Sequence, residues 1–203
     1  MSASEIDNRP VIFLDIDGVL NTHNYLKELE SSGYPKSDVF GPIFNPLCVD
    51  TLREIIDEVP DVGLVISSSW RIRGMKHLRE LWKVRNLPGE LIDTTPIIQG
   101  KVQARLGDEN ALTVPEDVYT PRGVEIAWWV HKYRSWGFKK YCIIDDDPDM
   151  ILTQSCRFVR TTMAAGLQPF HKEQALTALS GKPIPHEYED IALTWEDLIE
   201  EDL

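Results

Sequence analysis

The sequence predicts an α/β domain whose largely parallel sheet is covered by helices on both faces. Three short runs rich in valine, isoleucine and leucine carry this: Val11 to Leu14, Val62 to Ile66 and Tyr141 to Ile144. None shows the apolar and polar alternation of a half-exposed strand, so each suits a strand buried on both sides. Segments with apolar residues at helical spacing lie between the runs, and strands alternating with helices build parallel sheets with right-handed crossovers. All three runs end in hydroxyl or carboxylate residues. Ligands of such sheets bind beyond the carboxyl ends of the strands, which places these polar clusters on one edge.

Along the chain, Asn45 and Pro46 suit the N-cap and first turn of a helix through Val59, with Leu52, Ile55, Ile56 and Val59 on one stripe. Met75 to Val84 makes a second helix, and Leu91 to Asp93 a short strand. Gly123 to Trp136 is a third helix, with Ile126, Trp129, Val130 and Tyr133 at helical spacing. Trp128 and Trp129 are expected to pack within it. Arg157 to Val159 is expected as another strand and Gln168 to Leu179 as a closing helix. Residues 22–44, containing SSGYPKSDVFGP, are expected as a loop-rich insertion, and residues 94–120 as a second irregular excursion. The main domain is thus expected over residues 1–185. Residues 186–203 form an acidic tail in which Ile191, Trp195, Leu198 and Ile199 share one helical face, expected to dock on its own domain or on a partner.

With 203 residues, 42% of them hydrophobic, the chain suffices for one well-buried core. No apolar run approaches the length of a membrane span, and the N-terminus MSASEIDNRP lacks the basic and apolar regions of a signal peptide. No membrane partner and a cytoplasmic location are therefore expected. Cys48, Cys142 and Cys156 are odd in number and sit in apolar contexts, as core thiols do. The net charge of −12 argues against a broad basic surface for nucleic acid. Eight of the acidic residues, with no Lys or Arg, fall in residues 187–203, leaving −4 for the rest.

Four clusters carry the chemistry. In VIFLDIDGVLN, Asp15 and Asp17 are two apart and so face the same side, and Gly18 allows a sharp turn behind them. Two close carboxylates repel unless a hard cation neutralises them, and Mg2+ prefers carboxylate, water and phosphate oxygens. CIIDDDPDM sets Asp145, Asp146 and Asp147 after another buried-type strand. Asp146 is the choice for a third metal ligand, with Asp145 supporting from behind it and Asp147 and Asp149 solvated. In LVISSSWR, Ser67, Ser68 and free backbone amides at a strand end can hold phosphate oxygens, with Gly18 as a further phosphate-binding candidate. Arg122, opening the helix in TPRGVEIAWW, returns to the same edge, where a guanidinium can offset carboxylate charge and bind a phosphoryl oxygen.

Taken in order, LDIDGVL, VISSSWR, the TPR helix start and IIDDDPD resemble the four motifs of the haloacid dehalogenase (HAD) superfamily of phosphohydrolases. The later CRFVRTTMAAGL, followed by a helix, also suits the superfamily's ending, and the finer texture, SSSWR followed by a TP loop and an R-x-x-EI-x-x-W helix, is similar to HAD domains associated with RNA repair. The resemblance implies a Rossmann-like three-layer sandwich with only a small cap insertion, and an Mg2+-dependent phosphomonoesterase. By it, Asp15 is the nucleophile that forms an aspartyl phosphate, and Asp17 the general acid and base. Ser67 binds the transferring group, and Asp15, Asp146 and the backbone carbonyl of Asp17 hold the metal. The family more often carries lysine where Arg122 stands, so Lys101 and Lys132 remain alternatives; Lys132 lies mid-helix and Lys101 in an irregular segment.

The short insertions imply an open site that admits a nucleotide or a polynucleotide end, with Trp70, Tyr25, Arg71 and Arg73 placed to flank a base and its backbone. A small-molecule phosphatase outside nucleic-acid metabolism is the alternative. Two other classes share parts of the pattern: a phospho-receiver domain, against which the DxDG order and the extra length argue, and a non-catalytic module acting through the acidic tail.

Overall fold

A computed structural model describes residues 9–98 and 120–185. In chain order its strands are β1 (Val11–Leu14), β2 (Ser37–Asp38), β3 (Gly41–Pro42), β4 (Gly63–Ile66), β5 (Glu90–Thr94), β6 (Tyr141–Asp145) and β7 (Phe158–Arg160). Its helices are α1 (His23–Ser31), α2 (Pro46–Glu58), α3 (Met75–Val84), α4 (Arg122–Tyr133) and α5 (Lys172–Leu179). Five strands form one parallel sheet in the order β5-β4-β1-β6-β7, while β2 and β3 pair separately as a hairpin.

The sheet is the middle of three layers. Ile12 and Leu14 of β1 join a core with Leu52 and Ile55 of α2, Leu78 and Leu81 of α3, and Ala175 and Ala178 of α5. Val11 and Phe13 face the other way, against Ile126 and Trp129 of α4, where Phe13 and Trp129 meet edge-on at 5.3 Å. Every residue of β1, β4 and β6 is buried, which is why these strands read as continuous apolar runs.

Register then positions the site. Leu14 pairs with Ile66 on one side and Ile144 on the other, so Asp15, Ser67 and Asp145 emerge level at the carboxyl edge. The chain runs outward from β1 to β4 and β5, then crosses to β6 and β7 on the other flank. That reversal opens a crevice beyond β1.

Several local expectations need correction. Residues 22–44 are not mainly loop: α1 occupies 23–31, and the β2–β3 hairpin comes after it. No residue of α1 is fully buried, so there is no strong apolar stripe to see; the helix start is set by Thr22, whose Oγ1 accepts from the Tyr25 amide at 3.2 Å. The hairpin is tied to the end of α3 by Arg85, which donates to both oxygens of Asp38 (3.0 and 2.7 Å) and to the carbonyls of Gly41 (3.0 Å) and Pro42 (2.9 Å). The helix expected to reach Trp136 ends at Tyr133, because Arg134 turns extended and lays its guanidinium over the Trp129 ring at 4.7 Å. The closing helix starts at Lys172 after a 3-10 turn over Pro169–His171. Lys101 and the acidic tail lie outside the described residues. Cys48 and Cys142 are buried, Cys156 is half-buried, and all three are free thiols. Among the described residues, no helix is long and apolar enough to cross a membrane.

Candidate active site

The turn after β1 is built around Gly18. Its φ of +70° favours glycine, and a Cβ there would collide with the Asp146 carboxyl group. The Gly18 amide donates to the Asn21 carbonyl (3.1 Å), and its own carbonyl accepts from Thr161 Oγ1 (2.7 Å). Gly18 therefore contributes room for Asp146 rather than a free donor.

Carboxylate oxygens of Asp15, Asp145 and Asp146 lie within 4.8 Å of one another, close enough to share one cation. Asp15 and Asp145 are 7% and 1% exposed, and Asp145 Oδ2 is buried without a hydrogen-bond partner among the described residues. A buried, all-oxygen donor set of this kind fits a hard divalent cation. Burial lifts the Asp15 carboxyl to about 6, against the opposing pull of a Ser68 hydrogen bond and the Arg122 charge. Burial raises Asp145 further, to about 8, with the Asp15 charge adding to it. Asp145, expected to support the metal ligands from behind, sits within the close set, level with Asp15 by register.

Around these acids stand the hydroxyls and the arginines. Ser67 Oγ is buried without a hydrogen-bond partner among the described residues, and Ser68 bonds Asp15. Arg122 opens α4 with Nε 3.9 Å from Asp145 Oδ2 and a buried Nη1 that lacks a hydrogen-bond partner among the described residues. A cation at a helix N-terminus opposes the macrodipole; here the Asp149 carboxylate, expected to be solvated, accepts from the Arg122 amide at 2.7 Å and caps the helix from 27 residues away. Of the alternatives to Arg122, Lys132 lies along α4 over the rings of Trp128 and Tyr133 (4.6 and 4.9 Å).

Arg71 is near the site but enclosed. Its guanidinium pairs with Glu125 of α4, both side chains being 7% exposed, and also donates to the carbonyls of Ser68 (2.7 Å) and Pro96 (3.4 Å). The second Glu125 oxygen accepts from the Ile98 amide at 3.1 Å. Arg71 thus braces the serine turn against α4, while its charge also interacts with Asp15. In the sequence Glu125 stands as the acid of the R-x-x-EI-x-x-W helix, about one turn after Arg122, with no partner assigned to it.

The Asp17 carboxylate is held by two neutral donors. Asn21 Nδ2 reaches Oδ1 at 2.7 Å, and the Trp70 indole Nε1 reaches Oδ2 at 3.0 Å. Trp70 is itself set by Ser68, whose Oγ accepts from its amide (3.4 Å), and by the Phe44 ring at 5.7 Å. Beside Asp17 lies an open cleft of about 420 Å3 between the hairpin and the turn after β4, bordered by Gly41, Pro42, Trp70, Ile72 and Arg73. Asn21 escapes notice in the sequence because its partner lies four residues back in a non-helical turn.

The site's arrangement has a counterpart among known families. The family model described as the HAD domain in Swiss Army Knife RNA repair proteins matches residues 11–171, from the first residue of β1 to the start of α5. None of the curated proteins or solved structures compared with the chain matches it. The matched segment holds every acid, hydroxyl and arginine of the crevice, and its fold is the three-layer parallel arrangement of HAD phosphohydrolases. The chain therefore belongs to the family of HAD domains in Swiss Army Knife RNA repair proteins.

Proposed function

We propose that the protein is an Mg2+-dependent phosphomonoesterase that works through an aspartyl phosphate on Asp15 and acts on phosphorylated nucleic-acid ends. The convergence of Asp15, Asp17, Ser67, Arg122, Asp145 and Asp146 at one carboxyl edge carries this. A carboxylate oxygen of Asp15 attacks phosphorus, the bond to the leaving oxygen breaks, and the Asp17 carboxyl gives that oxygen its proton. Asp17 then takes a proton from the water that attacks phosphorus, releasing phosphate and restoring Asp15. Ser67 and Arg122 hold the equatorial oxygens. Asp15, Asp145, Asp146 and the Asp17 carbonyl would hold Mg2+, which would offset the charge between carboxylate and phosphate.

The open cleft beside Asp17 supports a large leaving group. Ile72 is 70% exposed, and Arg73 offers a cation where a neighbouring backbone phosphate would lie. Phosphate release is to be compared across end-phosphorylated oligonucleotides, free nucleotides and an aromatic phosphomonoester, with and without Mg2+. Faster release from oligonucleotide ends is expected. Absence of Mg2+-dependent release from all three would refute the assignment, while preference for the small esters would refute only the substrate class. Asp17→Asn should lower the rate by about 10²- to 10⁴-fold.

Trp70→Phe should lower kcat by about tenfold with little change in KM, because it removes the indole hydrogen bond that orients the Asp17 carboxyl group while keeping the ring. Introduced into Asp17→Asn, it should cost little more. Additive losses would show that Trp70 acts elsewhere.

The metal also couples to pH. The folded state holds the Asp15 and Asp145 protons more tightly than the unfolded chain does, since their values rise from 3.8 to about 6 and about 8. The contribution of these two groups to metal-free stability is therefore full below 3.8 and is lost as pH rises through that range. Mg2+ competes with those protons, so its gain in Tm should be larger at pH 8 than at pH 5. Equal gains at both pH values would place Mg2+ away from these carboxylates.

A further inference from the structure

On the flank formed by β7, the turn after β6 and the start of α5 lies a groove of about 780 Å3, lined by Met150, Leu152, Phe158, Phe170 and Ile184 among others. Leu152 and Phe170 are 86% and 71% exposed, an unusual cost for two large apolar side chains that share one groove. The described chain arrives at this groove: Ile184 and Pro185, its last two residues, are part of the lining. From Pro185 the sequence continues directly into the acidic tail, residues 186–203.

We propose that this groove receives the chain's own acidic tail, with Ile191, Trp195, Leu198 and Ile199 forming one helical face laid against Leu152 and Phe170. Reach is sufficient, since the five residues from His186 to Asp190 extend up to roughly 16–18 Å. A helix over residues 191–199 would be about 13 Å long. Its apolar positions are the i, i+4, i+7 and i+8 set by which amphipathic helices enter apolar grooves. Charge agrees as well. Among the described residues lining the groove Arg160 is the cation and none is an acid, whereas the tail carries eight acids and no Lys or Arg. Pro148, Met150 and Ile151 in the groove wall flank Asp149, the residue that caps α4 at Arg122. The docked tail therefore packs against the loop that orients the site's arginine.

Amide hydrogen exchange on the full chain tests this. Amides of residues 191–199 should exchange at least about tenfold more slowly than in a free peptide of the same sequence. Leu152→Asp and Phe170→Asp should each return the tail to free-peptide rates while the amides of the central sheet keep their protection. Trp195→Ala should do the same from the tail side. Free-peptide rates in the unaltered chain would overturn the proposal, as would protection that survives all three substitutions. Protection that grows with chain concentration, together with a dimeric mass, would overturn it in favour of a second copy in the groove.

Discussion

Asp15→Asn is expected to lower turnover by roughly 10⁴-fold or more, the scale of removing an essential nucleophile. The amide is a poor nucleophile and also removes a negative charge from the set shared with Asp145 and Asp146. The same substitution should leave the fold intact. Asp15 is 7% exposed and lifted by burial, and its charge raises Asp145 in turn. A neutral, isosteric amide relieves that repulsion, so the metal-free variant should melt no lower than the parent and should lose most of the Mg2+ increment in Tm. Phosphate release and thermal unfolding, measured on the same preparation, check both halves. Retained turnover would move the nucleophile elsewhere; lost turnover with a collapsed Tm would make Asp15 structural.

Glu125→Ala should be the most damaging substitution for stability, by about 3–5 kcal/mol, because it strands the enclosed Arg71 guanidinium without its counter-charge. The loss also reaches the site. Arg71 ties the Ser68 carbonyl and the Pro96 carbonyl to α4, so the serine turn loses its brace and Asp15 its neighbour. Replacing both partners, as in Arg71→Met with Glu125→Leu, should recover part of the stability, since no buried charge is left unpaired, while the Ser68 and Pro96 carbonyls and the Ile98 amide lose their partners. Denaturant unfolding of the single and double variants distinguishes the outcomes. If Glu125→Ala costs under about 1 kcal/mol, the pair behaves as an exposed ion pair would, and the brace is unimportant.

Much was legible because the strands of this fold are buried on both faces. That burial leaves runs such as VIFL and CIID with no polar interruption until the edge, where the change to Asp or Ser is abrupt. The helices α2, α3 and α4 announced themselves through apolar stripes against the sheet. Helix α1 left no such trace, since it buries no residue completely and its start depends on one threonine. The end of α4 was missed for a related reason: Arg134 leaves the helix to cover Trp129, an interaction that no spacing rule encodes.

The sequence by itself determined the layered parallel architecture, the edge on which chemistry sits, and the candidates Asp15, Asp17, Ser67, Arg122 and Asp146, because burial and turn formation act on neighbours along the chain. Only the tertiary structure decided what those groups touch. Asp145 joins Asp15 and Asp146, Trp70 and Asn21 hold the Asp17 carboxylate, and Glu125 claims Arg71. Strand register and helix docking bring together residues separated by 50 or more positions, such as Asp17 with Trp70 and Arg71 with Glu125. A side chain of fixed chemistry becomes ligand, brace or acid according to which partner that packing supplies.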